Sequence, residues 1–265
     1  MIIIKRDLGA VGVGVTSPRL MLGQDGHRYV VKLMQNKVGP KVLANEWLGF
    51  RLARRVGLCV PRGEMVCIPS ALVERSKYLQ KMRADEGVHF GSRYLSGCEY
   101  VGRRVMRLAV NKDEVVGTML FDHLLYNDDR TLNRKNFLAR WVGRGWRIYA
   151  IDHSHLFGSG RWTEEMLLRR GTSEAVNARR AFGWLLRHYP MREKLALYAR
   201  RILSVTDDEV AEMVAEVPSA WLTDAERDTV MCFWQTRQRQ TEAVADRIAD
   251  LAADIHRRAK RRIVK

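Results

Sequence analysis

Three polar residues in the middle of the chain have the types and spacing that a phosphoryl-transfer site requires. Asn136 lies seven residues after Asp129, and Asp152 ends an apolar run. In such a site one carboxylate accepts the proton of the attacking hydroxyl, while an amide and a second carboxylate hold Mg²⁺ against the phosphates. The order of the three residues predicts Asp129 as the base and Asn136 and Asp152 as the metal ligands.

The neighbouring pattern predicts elements that would bring these residues together. Apolar residues at helical spacing predict a helix over 113–126, and the aperiodic stretch NDDRTLNRK that follows predicts a loop. The runs FLARWV and WRIYAID predict two strands joined by a hairpin at 143–145. Asp152 would then follow the second strand, beside the loop that carries Asp129 and Asn136.

A plain surface loop is the competing interpretation of the same residues. Asp and Asn are common in turns because their side chains bond their own backbone. The run Asp128-Asp129-Arg130 could therefore be a turn with an exposed ion pair, which contributes little stability. Asp152 favours the site, since a carboxylate that ends an apolar strand is expected to be partly buried and to need a partner or a metal.

The first residues of the chain predict a strand and a Gly-rich turn that could lie over bound phosphates. MIIIKRDL predicts a strand, and the Gly-rich stretch after it contains Gly12 and Gly14 and runs on to Ser17. Backbone N–H groups of such a turn could face phosphate, which makes these three residues candidate nucleotide contacts. An ordinary hairpin turn is the alternative, because the glycines do not follow the G-x-G-x-x-G spacing.

A buried ion pair is predicted next along the chain. RLMLGQDGHRYVVKLM predicts two strands around the turn at Asp25-Gly26, and Lys32 lies inside the second strand. Lys is rarely buried without a partner. The helix predicted from Pro40 to a C-cap at Gly57 carries Glu46 on its apolar stripe, so Lys32 is expected to pair with Glu46 and to contact phosphate. An exposed strand face for the lysine and a solvated helix face for the glutamate are the alternatives.

Together these segments resemble the bacterial HipA-like kinase family, a branch of the protein-kinase-like superfamily that is distantly similar to phosphatidylinositol kinases. The resemblance implies an ATP- and Mg²⁺-dependent kinase with Lys32, Glu46 and Asp129 as catalytic residues and Asn136 and Asp152 as metal ligands. The matching stretches, in the family's order, are TSPRLMLGQDGHRYVVKLM, VLANEWLGFRLARRVGLCVP, HFGSRY, YNDDRTLNRKNFL, WRIYAIDHSHLF and PSAWLTDAERDTVMCFWQTRQR.

The chain departs from the protein-kinase pattern at two points. Protein kinases place the metal Asn five residues after the base, whereas Asn136 lies seven after Asp129, which fits the compact HipA-like pattern better than Asn133 does. No Asp-Phe-Gly follows the hairpin, and Asp-His-Ser stands in its place. His153 and His155 could suggest a metal site, but such loop histidines are more often not ligands.

The expected fold is α+β and two-lobed, like a protein kinase. A small β-rich N-terminal lobe with one main helix, followed by the connection between the lobes, would occupy residues 1–111. A larger, mostly helical C-terminal lobe would occupy residues 112–265. Two capping boxes are predicted in that lobe, at Thr206 with Glu209 and at Thr223 with Glu226. Its apolar side chains are expected to form core rather than a base-stacking surface; they include Trp184, Leu185, Trp221, Phe233 and Trp234.

Charge and composition bear on partners and compartment. The formal net charge is +16, and the tail HRRAKRRIVK predicts attraction to an anionic partner such as nucleic acid or an acidic surface; a solvated basic face is the alternative. No apolar run is long enough for a membrane span and no signal peptide is evident. Four scattered cysteines predict free thiols rather than a disulfide framework. These features predict a cytoplasmic protein.

The sequence thus favours a kinase that transfers the γ-phosphate of ATP to a hydroxyl, with a protein Ser/Thr as the first expectation for the acceptor because of the family resemblance. Two other functions stay open at this point. One is a pseudokinase or regulatory scaffold, which would not need to retain all five polar residues. The other is a basic nucleic-acid-binding protein without catalysis, whose binding would depend on salt but not on ATP.

Overall fold

A β-rich N-terminal region precedes a mostly helical C-terminal region, as the sequence predicts. The chain is seen in a computed structural model, which describes residues 1–11, 16–84, 86–173, 175–176, 180–187, 189 and 191–263.

Five strands of the N-terminal region close into a barrel. Neighbouring strands are antiparallel, except that the first and fourth pair in parallel and so complete the ring. Around the barrel the order is β1-β2-β3-β5-β4. The strands are β1 (Ile2–Ala10), β2 (Arg19–Gly23), β3 (Arg28–Lys32), β4 (Gly63–Cys67) and β5 (Val88–Arg93). The predicted hairpin at Asp25-Gly26 joins β2 to β3, and its Gly26 has the positive φ (77°) that this turn requires.

One long helix, α1 (Lys41–Arg55), packs between the barrel and the C-terminal region. It begins after Pro40 and ends where Gly57 takes a positive φ of 77°, as the sequence predicts. Ten of its residues are buried, including Asn45 and Glu46. Two short helices, α2 (Ser70–Arg75) and α3 (Lys77–Lys81), lie between β4 and β5 in the chain.

A small antiparallel sheet opens the C-terminal region. Its strands are β6 (Cys98–Tyr100), β7 (Phe137–Trp141) and β8 (Trp146–Ala150). The last two form the predicted hairpin, with Phe137 opposite Ala150 at the end away from the turn. Because Asn136 and Asp152 lie just beyond this pair of residues, the hairpin register brings them close together.

Helices make up the rest of the C-terminal region. The predicted helix at 113–126 is present over Lys112–Leu124. The described helices are α4 (Arg103–Arg107), α5 (Lys112–Leu124), α6 (Asp128–Leu132), α7 (Glu164–Gly171), α8 (Arg180–Leu186), α9 (Arg192–Leu203), α10 (Asp207–Ala215), α11 (Asp224–Arg239) and α12 (Thr241–Ile263). Among these described helices, none is long and apolar enough to cross a bilayer.

The predicted loop at NDDRTLNRK is wrong in part, because it contains α6 and a 3₁₀ turn at Arg134–Asn136. A helix of five residues is too short to show an apolar repeat, so periodicity could not reveal it. Its first turn carries two acids, Asp128 and Asp129, which favour a helix N-terminus.

The helical core confirms most of the packing expected from the sequence. Both capping boxes are formed, at Thr206 and at Thr223. Four of the five expected core side chains are almost fully buried, whereas the side chain of Trp184 lies outside the described part; the four are Leu185, Trp221, Phe233 and Trp234.

Gly117 is a point of close helix packing, and its replacement tests that contact. A Cβ at Gly117 on α5 would overlap the buried ring of Tyr198 on α9. We expect Gly117→Ala to lower the free energy of unfolding by about 1–3 kcal/mol, because overpacking outweighs the gain in helix propensity. Urea denaturation measures this change.

Gly171→Ala is the matched control. This glycine is also buried, at the last position of α7, but the nearest atom to a new Cβ would be 3.7 Å away, at Thr236. We expect stability within about 0.5 kcal/mol of the parent protein, or slightly above it. Equal losses in the two variants would contradict the packing account.

Candidate active site

Lys32 lies at the centre of a buried ion-pair cluster. It ends β3, and only 7% of the residue is exposed. Its Nζ donates to Glu46 Oε1 on α1 and to Asp152 Oδ1, at 2.8 Å, just after β8. One ammonium group therefore joins the barrel, α1 and the end of the hairpin. The pairing of Lys32 with Glu46 expected from the sequence is present, and Asp152 is an additional partner.

The electrostatics of the cluster follow from this mutual pairing. Burial lowers the pKa of Lys32, but the Asp152 and Glu46 carboxylates raise it by more, so its pKa lies above the usual value. For Asp152 the two effects have the opposite signs. Burial raises its pKa, but the Lys32 ammonium lowers it by more, so the pKa of Asp152 lies well below its usual range. Because their mutual attraction outweighs burial, Lys32 and Asp152 both stay charged at neutral pH.

Besides Lys32, Glu46 contacts the backbone of the residue that follows Asp152. Its Oε2 accepts a hydrogen bond from the backbone N–H of His153 at 3.1 Å. The approach is close because a glycine, Gly49, lies one turn further along α1, where a Cβ would overlap His153 and Leu156. The helix is thus held directly against the residues that follow Asp152.

Asn45 extends this contact and was missed by the sequence analysis. Its Nδ2 donates to the carbonyls of Ser154 (2.9 Å) and Leu156 (3.0 Å), and its Oδ1 accepts from Trp162 Nε1 at 3.1 Å. The residue is fully buried. A polar amide on the apolar stripe of a helix, next to Glu46, is the signal that could have found it.

The short helix α6 presents Asp129 to Asn136. Asn136 Nδ2 donates to Asp129 Oδ2 at 2.5 Å, and Asn133 Nδ2 donates to Asn136 Oδ1 at 3.2 Å. Asp128 is exposed, whereas Asp129 is partly buried. Of the two neighbouring acids, Asp129 is therefore the one that contacts the predicted metal-binding amide.

Arg130 lies under this segment and was predicted only as a turn residue. It is fully buried, and its Nε donates to Asp122 Oδ2 of α5 at 2.7 Å. Its Nη1 donates to the carbonyl of Asn136 at 3.1 Å and to that of Ile151. The competing interpretation, a turn with an exposed ion pair, is therefore wrong for Arg130, whose ion pair with Asp122 is buried. The sequence could not show this, because the burial comes from α5 and the hairpin packing over the short helix.

Asp152 leaves the hairpin in an uncommon backbone conformation. Its φ is 63°, in the left-handed region, and its side chain is 35% exposed. Besides Lys32, its Oδ1 accepts from the backbone N–H and the Oγ–H of Ser154. The carboxylate is therefore fixed on one side and open to solvent on the other.

The two histidines after Asp152 face different neighbours. His153 is buried, with its ring edge-on to Phe121, and burial lowers its pKa well below the usual range, so that the ring is neutral at pH 7. His155 is exposed, and its Nδ1 lies 3.2 Å from Ser154 Oγ.

Of the three predicted phosphate-cover residues, Gly12 and Gly14 lie outside the described residues. Ser17 has a φ of 47°, and its carbonyl accepts a hydrogen bond from Tyr78 of α3 at 3.0 Å. Since Arg19 of β2 pairs with Val31 of β3, Ser17 precedes β2 at the end of the barrel where Lys32 lies.

The oxygen atoms at this edge suit a hard divalent cation. Asp152 offers a carboxylate and Asn136 an amide oxygen, and Mg²⁺ is usually held by one or two such protein ligands together with substrate phosphates and water. Among the described residues, no group of three His, Cys, Asp or Glu side chains could hold a metal on its own. One carboxylate and one amide oxygen fit a metal that binds together with a nucleotide.

Solved structures of kinases share this fold. The proinflammatory kinase CtkA of Helicobacter pylori is similar with a TM-score of 0.62 at 11% identity, covering 94% of this chain and 96% of that one. The Golgi casein kinase is similar with a TM-score of 0.55 at 13% identity, covering 94% and 74%. A further structure of that kinase, with Mn/ADP bound, has a TM-score of 0.53 at 12% identity, covering 94% and 73%.

Sequence comparison identifies the family. No curated protein matches the chain. The family model described as HipA-like kinase matches residues 3–247, which is nearly the whole sequence. The kinase-like fold, the arrangement of charged residues between barrel and hairpin, and this match lead to one conclusion: the chain belongs to the HipA-like kinase family.

Proposed function

We propose that this protein is an ATP- and Mg²⁺-dependent kinase that transfers the γ-phosphate of ATP to a Ser or Thr hydroxyl of a protein. The observation that carries the proposal is the contact of Lys32 with both Glu46 and Asp152, beside the Asp129–Asn136 pair. This arrangement brings together a buried cation, the amide of Asn136 and the carboxylates of Asp129 and Asp152. Residues 1–111, which include the barrel, and residues 112–265, which include most of the helices, would form two lobes with the nucleotide between them.

Lys32 would bind the phosphates of ATP. In the structure its ammonium group bonds two carboxylates, and the partly exposed one, Asp152, would also bind the metal. Glu46 would keep the ammonium in place, because it is held from its other oxygen by the His153 backbone. The Gly-rich turn, with Gly12, Gly14 and Ser17, would cover the phosphates from the barrel side.

Asp129 would act as the base and accept the proton of the acceptor hydroxyl at its carboxylate. Its Oδ2 is already oriented by Asn136 Nδ2, so the position of the carboxylate is set before the acceptor arrives. Asn136 Oδ1 and Asp152 would hold Mg²⁺, which when bound neutralises charge on the phosphates. The Golgi casein kinase structure with Mn/ADP bound shows the same fold with a divalent metal and a nucleotide, which supports this assignment by analogy.

Family analogy, the cysteines and the basic C-terminal end bear on the acceptor, the cellular location and a further partner. A protein acceptor follows from family analogy, and a cytoplasmic location agrees with the free cysteines described at positions 59, 67, 98 and 232. The last helix runs to Ile263 with Arg257 and Arg258 exposed. We propose that this basic end attracts an anionic partner, such as nucleic acid or an acidic surface, and takes no part in catalysis.

Replacement of the base tests the chemistry. We expect Asp129→Ala to reduce phosphotransfer about 10²- to 10⁴-fold, which is the usual contribution of a positioned base. ATP affinity should change little, because the carboxylate faces the acceptor rather than the nucleotide. Transfer of labelled γ-phosphate from ATP, by autophosphorylation or to lysate proteins, measures the rate.

Asp128→Ala is the matched control, since the same residue type stands one position away in an exposed site. We expect activity within a few-fold of the parent protein. An inactive Asp128 variant beside an active Asp129 variant would move the base by one residue. Full activity of both variants would contradict the proposed kinase mechanism.

Replacement of the second carboxylate tests the metal site. We expect Asp152→Asn to lose the extra thermal stabilisation that Mg²⁺ adds to ATP, because the amide keeps the shape but not the charge of the ligand. Asn also tolerates the left-handed φ of 63° at this position. The shift in melting temperature with ATP and Mg²⁺ is compared with the shift with ATP and a chelator.

Asp208→Asn, an exposed site on α10, controls for a general effect of lost charge. It should retain the full response to Mg²⁺. If Asp152→Asn shows the same Mg²⁺-dependent shift as this control, Asp152 is not a metal ligand.

A further inference from the structure

Buried charged side chains hold the peptide groups on both sides of Asp152. The carbonyl of Ile151, which belongs to the peptide before Asp152, accepts from Arg130 Nη1. The N–H of His153, which belongs to the peptide after it, donates to Glu46 Oε2 at 3.1 Å. The orientation of these two peptide planes defines φ and ψ of Asp152, so the two contacts together fix its backbone.

The backbone of Asp152 needs such support because its φ is 63°. Side chains with a Cβ are disfavoured in the left-handed region, although Asp tolerates it better than most. A non-glycine residue in such a region persists only when the surrounding structure holds it there. Without the support, Asp152 could relax to a negative φ and turn its carboxylate away from Lys32.

Arg130 is suited to this role by its geometry. The guanidinium group presents donors in a rigid planar fork, and its contacts are with one carboxylate and two carbonyls. The same Nη1 binds the carbonyl of Asn136 and that of Ile151. A single buried cation thus contacts the backbone at both candidate metal ligands, and the N–H of Ile151 also donates to the Asn136 carbonyl at 3.0 Å.

We infer that Arg130 is a positioning residue that holds Asp152 in its left-handed conformation and sets its separation from Asn136. The role in metal binding rests on the proposed function, whereas the role in fixing the backbone does not. Arg130 itself would touch neither nucleotide nor acceptor, because it is fully buried beneath them.

The first experiment measures backbone protection without any ligand. In Arg130→Lys the amine keeps a positive charge near Asp122 but cannot reach the acceptors in fork geometry. Amide hydrogen exchange followed by NMR or by fragment mass spectrometry should show loss of protection at Ile151 and His153. Unchanged protection at these two amides in folded Arg130→Lys would overturn the inference.

Arg237→Lys is the matched control. Arg237 is also almost fully buried, and it also donates to backbone carbonyls, those of Leu124 (2.8 Å) and His123 (3.0 Å) at the end of α5. This variant should lose comparable stability but keep the protection of Ile151 and His153. Equal loss of their protection in both variants would show a general weakening of the fold and would also overturn the inference.

The second experiment is a Mg²⁺ titration of thermal stabilisation at fixed ATP. Residues that orient metal ligands typically change metal affinity 10- to 100-fold when replaced, so we expect the Mg²⁺ midpoint of Arg130→Lys to rise by about that factor. The midpoint of Arg237→Lys should stay unchanged. Equal Mg²⁺ midpoints in the two variants would show that Arg130 does not orient the metal ligands.

Two further outcomes remain decisive. If the parent protein shows no Mg²⁺-dependent stabilisation by ATP, the proposed function fails, and the exchange data alone decide whether Arg130 holds the backbone. If Arg130→Lys does not fold, Asp122→Asn replaces it, because this change weakens the contact at Nε and loosens the guanidinium group. Asp122→Asn should then lose protection at Ile151 and His153 to a smaller extent, and full protection there would overturn the inference.

Discussion

The buried charge of Lys32 is the constraint on which the rest of this structure depends. An ammonium group that is taken out of water is costly unless carboxylates face it at close range. Glu46 and Asp152 meet this need from two different parts of the chain, α1 and the end of the β7–β8 hairpin. The barrel, the helix and the hairpin must therefore assemble around one cation.

Close backbone packing makes this assembly rigid on the side of α1. Gly49 lets the helix approach the residues after Asp152, and Asn45 satisfies two of their carbonyls while it binds Trp162. Buried polar groups that are fully hydrogen-bonded specify a single arrangement, because any alternative leaves some of them unsatisfied. The segment from Ser154 to Trp162 is consequently held against α1 by hydrogen bonds to Asn45.

Much of the site could be predicted from the residues themselves. Lys32 inside an apolar strand and Glu46 on an apolar helix stripe each indicate a buried partner, and the structure joins them. The hairpin that separates Asn136 from Asp152 was visible from two strand-like runs around glycines. The short helix at Asp128–Leu132 was not, because five residues cannot display a helical repeat.

By itself the sequence determined which side chains carry charge, where the long helices and the hairpins form, and which family the chain resembles, because these depend on residue types and local periodicity. Only the tertiary structure decided that Arg130 is buried against Asp122 and the Ile151 carbonyl rather than exposed in a turn. The left-handed backbone conformation of Asp152 was likewise decided only by the tertiary structure. Both features depend on contacts between segments far apart in the chain, and such contacts leave no periodic pattern in the residues that make them.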